Sequence, residues 1–315
     1  MLIQLDLSDG DSLDTAAASV LQELAGAQLY HSRLGMRNPF GAFNVALQSV
    51  WESLSRCVEE LERVVLTRPF ARDGDPIWFE ELLRRHESLL YSLMEYIETC
   101  HSILTGCFPT QDLAKKHSVT RDYERAVKEY RNYVAKIVNA IKHSQARLRS
   151  IVAFSDRVSI VGYYVESALP DAVIGPNEAI HRDGDEAFSI GLELRYHLFG
   201  IYSTASALAT ALKQLPIPKA PAGSLASSAN QLIVNLVERV AALDALGFPS
   251  ELDKCQARLT HAGDGTTSTY ALEYPFRPLR VSFPTQLQVS IGTFGDAVSS
   301  VFRFPMIGER RVRDP

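Results

Sequence analysis

Residues 120–150 read TRDYERAVKEYRNYVAKIVNAIKHSQARLRS, and shortly after them residues 158–167 read VSIVGYYVES. The two stretches obey different rules. In the first, Val127, Tyr130, Val134, Ile137, Ile141 and Leu148 recur at steps of three, four or seven. At 100° per residue they fall in a wedge about 80° wide on one side of a helix. The second stretch is dense in β-branched and aromatic residues, the composition of a strand. This change of period predicts an α+β chain that changes character near residue 150.

Working back from residue 120, the chain is helical in pattern. Ala17, Leu21, Ala25 and Leu29 stand four apart, and Val45, Leu47, Val50, Leu54, Val58 and Leu61 repeat the rule. Asp75-Pro76 supplies an N-cap acid and a first-turn proline to a third helix through Trp78, Leu82, Leu89, Leu93 and Ile97, with Gly106 and Pro109 ending it. Residues 1–150 are therefore expected to form an antiparallel four-helix bundle.

Forward of residue 150, Leu169-Pro170-Asp171 predicts a turn that returns the 158–167 strand along 172–181. Helices are expected over Phe188–Leu215 and Ser224–Leu246, parted by the proline-rich connector 216–223. Short strands follow at 257–260, 267–274, 279–283, 287–291 and 298–304, the first two joined by Gly263-Asp264-Gly265. Residues 151–315 read as a mixed domain of short antiparallel strands and two helices, the strands near 157–182 joining those after 254.

Composition bounds the rest. The 315 residues are 46% hydrophobic and 22% charged, which excludes disordered and collagen-like chains. No apolar run reaches the ~18 residues of a membrane-spanning helix, so no membrane partner is expected. Cys57, Cys100, Cys107 and Cys255 are too scattered for a disulfide framework or a zinc finger and read as small buried thiols. The start of the sequence lacks the basic region of a secretory signal, and a reducing cytoplasmic setting is expected.

The net charge of −5 conceals a strong asymmetry: −8 over residues 1–110, +6 over 111–150 and −3 over 151–315. The basic island is the fourth helix and its approach. Opposite its apolar wedge, Arg125, Asn132, Lys136, Asn139, His143 and Arg147 form one stripe suited to a phosphate backbone. The plain alternative is the solvated face that any bundle helix carries.

Asn139-Ala140-Ile141-Lys142-His143, late in a long basic helix, resembles helices of the HEPN-like superfamily. Many members of that superfamily are ribonucleases of toxin–antitoxin and antiviral defence systems. Arg131-Asn132 begins the family's Arg-x4-6-His pattern, but the pattern is not completed, since His143 stands twelve positions after Arg131. The resemblance implies a helical fold over about residues 15–150 and a metal-independent ribonuclease or nucleic-acid sensor. Such cleavage needs a base for the 2′-hydroxyl and cations for the phosphate. His143 and Arg147 are the catalytic candidates. Arg125, Arg131, Asn132, Lys136, Asn139 and Lys142 are the RNA-binding ones. No cofactor and no metal are expected, and the partners are RNA together with a second copy of the chain or another protein. The alternative is a non-enzymatic interaction module or assembly subunit.

Two weaker constellations remain. Glu178, His181, Asp183, Asp185 and Glu186 crowd a turn-rich loop whose oxygen and imidazole groups suit a divalent metal or, more plainly, the start of the following helix. Glu193 and His197 share a helical face while Arg195 points away, which reads as an ion pair or a helix–helix polar contact. The common hydrolase, phosphate-loop, zinc-protease and dinucleotide motifs are absent.

Overall fold

The computed structural model describes residues 1–6, 16–66, 77–154, 159–168, 174–181, 187–219, 231–248, 251, 254–262, 269–276 and 288–291. The helices are α1 (Ala16–Glu23), α2 (Pro39–Leu66), α3 (Ile77–Thr105), α4 (Gln111–Lys116), α5 (Ser118–His143), α6 (Ile190–Gln214) and α7 (Gln231–Ala242). The strands are β1 (Leu2–Asp6), β2 (Arg147–Phe154), β3 (Ser159–Ala168), β4 (Ile174–Pro176), β5 (Phe188–Ser189), β6 (Gln256–His261), β7 (Thr269–Phe276) and β8 (Gln288–Ile291). The chain is α+β with antiparallel sheets, and no described helix is long and apolar enough to cross a membrane. Asp75-Pro76, the 169–171 and 263–265 turns, the 279–283 and 298–304 strands and Asp183, Asp185 and Glu186 lie outside the described residues.

The long helices follow their patterns. Asn38 starts α2 by accepting hydrogen bonds from the Phe40 and Gly41 amides, with Pro39 at the first helical position. Phe43, Val50, Leu54, Cys57, Val58, Leu61 and Val64 then bury one stripe. In α5, Val127, Tyr130, Val134 and Ile137 are buried, while Arg125, Asn132, Lys136, Asn139 and His143 are exposed.

Three expectations need correction. First, the fourth helix stops at His143 instead of Ser150. Gln145 takes a left-handed conformation (φ 53°) and the Ala146 amide returns to the Ala140 carbonyl at 3.2 Å. Arg147 opens strand β2, paired with Glu166 of β3. No glycine or proline occurs between residues 140 and 161 to mark the break, so the apolar period carries the reading too far.

Second, the helical layer is not a bundle of four helices drawn from residues 1–150. Among the described residues the first segment is α-helical over Ala16–Glu23, with a 3-10 turn at Gly26–Gln28, and α3 packs against its antiparallel partner α2, against α5 and against α6 from beyond residue 150. Helix α6 is buried around nearly its whole circumference, through Leu192, Leu194, Leu198, Ile201, Ala205, Leu208 and Leu212. Such a helix is stable only when covered on every side. It contacts α1, α3, α5 and β6, and the Tyr96 hydroxyl of α3 donates to the Ile201 carbonyl at 3.1 Å.

Third, β1 is an unforeseen strand. It forms a three-stranded sheet of order β1-β7-β6, so the strands at 256–276 pair with the start of the chain and not with the 158–181 hairpin. A second sheet has order β4-β3-β2-β8, with β5 against β3, so β8, one of the strands expected after 254, does share a sheet with the 159–176 strands, through β2. One buried cluster runs from Leu5 to Leu272 and joins residues on both sides of position 150.

Close approach fixes two contacts. A Cβ on Gly200 would lie 2.1 Å from Cζ of Tyr130, and one on Gly162 would lie 2.2 Å from the Phe188 carbonyl oxygen. Only glycine lets α5 meet α6, and β3 meet β5, at these distances. Arg195 is buried too, and its guanidinium donates to the carbonyls of Gly191, Leu243 and Asp244, anchoring the segment that follows α7.

Candidate functional site

The helix α6 pattern places Glu193 and His197 one turn apart on a face turned toward α3 and α5. There they meet His86 of α3, and all three side chains are 0–3% exposed. His86 Nε2 lies 3.0 Å from Glu193 Oε2, and His197 Nε2 lies 3.4 Å from Glu193 Oε1. A carboxylate in the core is costly unless it is compensated. Glu193 Oε1 accepts hydrogen bonds from Tyr133 of α5 at 2.6 Å and from Tyr163 of β3 at 2.8 Å.

The imidazoles are held from behind. Nδ1 of His197 meets the Tyr130 hydroxyl at 3.2 Å, and Nδ1 of His86 meets Cys57 Sγ at 3.8 Å. The inner atoms are different. His86 Nε2, Glu193 Oε2 and His197 Nε2 are buried without an aligned hydrogen bond, although the ion-pair distance of His86 and Glu193 is short. Their attraction is Coulombic, since the ring N–H is not directed along the line of contact.

Electrostatics orders the charges. Burial lowers the His86 pKa, but the Glu193 carboxylate outweighs it and lifts His86 to about 10. Burial opposes the Glu193 anion, yet the His86 cation beside it, together with the nearby His197 ring, holds it well below the usual carboxylate range. Burial keeps His197 lowered and neutral despite Glu193. The resting arrangement is one cation, one anion and one neutral imidazole.

Glu193 also bounds a cavity of about 320 Å³. Tyr133, Tyr196, Tyr274 and Phe188 give it aromatic walls, and Glu129, Lys136, Glu251 and Lys254 give it charge. Glu251 accepts the amides of Ser189 (2.9 Å) and Phe248 (2.8 Å). Burial raises it to about 7 against those two bonds. Tyr274 donates to Glu129, which ties the β7 side of the cavity to α5.

The residues singled out in the sequence are dispersed. Arg125 pairs with Asp122 at 3.0 Å in solvent. Arg125, Arg131 and Asn132 line a groove of about 770 Å³ between α3 and α5 with Arg121, Lys128, His101, Glu98 and Glu124. Lys142 lies over the Tyr91 ring at 5.1 Å. Asn139 is exposed, and His143 and Arg147 are exposed on a helix end and a strand start, so the one-turn relation between them is not formed. Lys136 faces the cavity and approaches the Ile180 carbonyl at 3.5 Å.

Of the loop residues, His181 is buried and accepts the Val165 amide at 2.8 Å, a structural role, while Glu178 is exposed. Cys57, Cys100 and Cys107 are buried as expected, whereas Cys255 is exposed and borders the cavity. His86 and the tyrosines carry no sequence signal. The Glu193–His197 spacing does carry one, and read together with an all-round apolar helix it marks a polar pair in the core. Comparison with family models, curated proteins and solved structures finds no match to this chain.

Proposed function

We propose that the chain binds a compact organic ligand in the cavity beside Glu193, a ligand with a planar aromatic body and an anionic end. One observation supports this reading above others: a concave space with aromatic walls is bounded by a buried carboxylate and by groups of shifted pKa. That combination is the common form of a small-molecule site.

The cations at the cavity favour an anion. Lys136 and Lys254 border it, and burial favours the neutral form of Glu251 more than in an ordinary glutamate. The volume suits one or two rings, and tyrosine edges and faces pack against such rings while their hydroxyls hydrogen bond.

The test is calorimetric titration with 4-hydroxybenzoate as the probe. Saturable binding that weakens in Lys136→Glu supports the proposal. Failure of aromatic carboxylates and phenols to bind at millimolar concentration overturns it.

A second reading keeps the outer side of α5 as a surface for RNA. Its support is the groove that gathers Arg121, Arg125, Lys128, Arg131 and Asn132. Glu98 and Glu124 in the same groove, and Asp122 beside Arg125, offset part of that charge. In its ribonuclease form, of HEPN-like type within a bacterial defence or toxin system, His143 is the base and Lys142 and Arg147 hold phosphate. Incubation with mixed RNA at several salt concentrations distinguishes the forms. Cleavage lost in His143→Ala supports the ribonuclease, binding without cleavage supports the nucleic-acid sensor, and no RNA binding at low salt removes both.

A further inference from the structure

We propose that His86, Glu193 and His197 hold a divalent transition-metal ion, with zinc the best fit. This goes beyond ligand binding in the cavity and does not depend on it.

Three buried polar atoms between α3 and α6 lack an aligned hydrogen bond. Nearly all such atoms in native proteins are hydrogen bonded, so orphans require an explanation. Here His86 Nε2, Glu193 Oε2 and His197 Nε2 are orphaned together, in the same place. One donor atom from each residue lies within 4.8 Å of the other two. Three such atoms gathered in one place, two of them already an ion pair, are a donor set facing a common centre.

The chemistry of the set is appropriate. Two imidazoles and a carboxylate are the three protein ligands of a familiar open zinc site, which keeps a fourth position for water or substrate. With bonds of about 2.0–2.2 Å, tetrahedral ligands stand roughly 3.3–3.6 Å apart. The His86 Nε2–Glu193 Oε2 separation of 3.0 Å is slightly shorter than that, and one donor atom from each of the three residues lies within 4.8 Å of the others.

The supporting shell is in place as well. Metal-bound imidazoles use their second ring nitrogen to hydrogen bond a neighbour, and bound carboxylates are themselves hydrogen bonded. His197 Nδ1 has Tyr130, His86 Nδ1 has Cys57, and the other Glu193 oxygen has Tyr133 and Tyr163. Two of the ligands come from one helix at i and i+4 spacing and the third from its neighbour α3, so rigid elements position all three. The metal-free chain satisfies the same charges by the ion pair of His86 with Glu193, which the ion displaces.

The experiment is metal analysis of the purified full chain, followed by Co²⁺ titration of chelator-treated protein. The proposal expects one equivalent of zinc, visible bands of tetrahedral Co²⁺ at saturation, and a melting temperature that falls with chelator and returns with Zn²⁺. Glu193→Gln abolishes uptake. Tyr130→Phe removes only the group behind His197, keeps the fold, and weakens affinity about 10- to 100-fold. Should Glu193→Gln fail to fold, the wild-type spectrum and Tyr130→Phe still decide. Wild-type protein that takes up none of Zn²⁺, Co²⁺, Mn²⁺ or Fe²⁺ stoichiometrically overturns the proposal, as does unchanged affinity in Tyr130→Phe. Neither result bears on whether 4-hydroxybenzoate enters the cavity.

Discussion

Nε2 of His86 lies 3.0 Å from Oε2 of Glu193, with both side chains sealed from solvent. The pair joins α3, from before residue 150, to α6, from after it. A buried ion pair adds little net stability over an apolar pair of the same shape, because both ions lose their water. Removing one member is far worse, since it strands the other.

Glu193→Gln is therefore expected to cost about 3–5 kcal/mol, the range for breaking a buried pair. His86→Leu combined with Glu193→Leu should cost much less than the two single changes together. Urea denaturation of the three variants measures the difference as a double-mutant cycle.

Glu251 sets a pH dependence with a definite sign. Its folded-state pKa of about 7 exceeds the ordinary glutamate value of 4.5. The folded state therefore binds this proton more tightly, and the stabilisation is full below pH 4.5 and is lost as pH rises through 7. The shift corresponds to about 3 kcal/mol in order of magnitude. Glu193 faces it with like charge, and the Ser189 and Phe248 amides oppose the shift. Between pH 5 and pH 8, the wild type should lose urea resistance relative to Glu251→Gln. A constant difference between the two would remove this account.

Gly200→Ala places a methyl group against the Tyr130 ring and should destabilise by about 1–3 kcal/mol, as overpacking does. Gly41→Ala in α2 meets nothing within 4 Å and should stabilise, by about 0.5–1 kcal/mol. Opposite shifts in melting temperature check both.

Arg195 is held by backbone carbonyls, and among the described residues no carboxylate is in hydrogen-bond contact with it. Arg195→Met keeps much of the volume but removes a charged donor from the part-buried Leu243 and Asp244 carbonyls beyond α7, and hydrogen bonds to charged groups contribute about 1.5–3 kcal/mol each. Hydrogen exchange should rise first in α7 and the 243–248 segment, before global unfolding.

Much of the fold is legible because periods are legible. The α2, α3 and α5 stripes, the β3 strand and the extent of α6 follow from apolar spacing. The end of α5 does not, because Gln145 adopts a conformation usually marked by glycine, and Leu148 continues the helical period into a strand. Strand β1 is missed because five residues carry too little pattern to separate a strand from a loop. In the site, Glu193 and His197 are recognisable as a pair from their spacing. Their partners His86, Tyr130, Tyr133 and Tyr163 come from three other elements, and only tertiary packing brings them together. The basic island is legible only in part, for a related reason. Net charge records composition, while the groove's acids and the burial of Glu193 depend on which neighbours face which.

The central claim is that the working site is the cavity beside Glu193 and not the outer ridge of α5. Titration of 4-hydroxybenzoate into wild type, Lys136→Glu and Arg131→Glu tests it most directly, since the first substitution is at the cavity and the second is in the groove. The account predicts saturable binding to wild type and Arg131→Glu with equal affinity, and loss of binding in Lys136→Glu. Equal binding to all three proteins, or weakening only in Arg131→Glu, would contradict it.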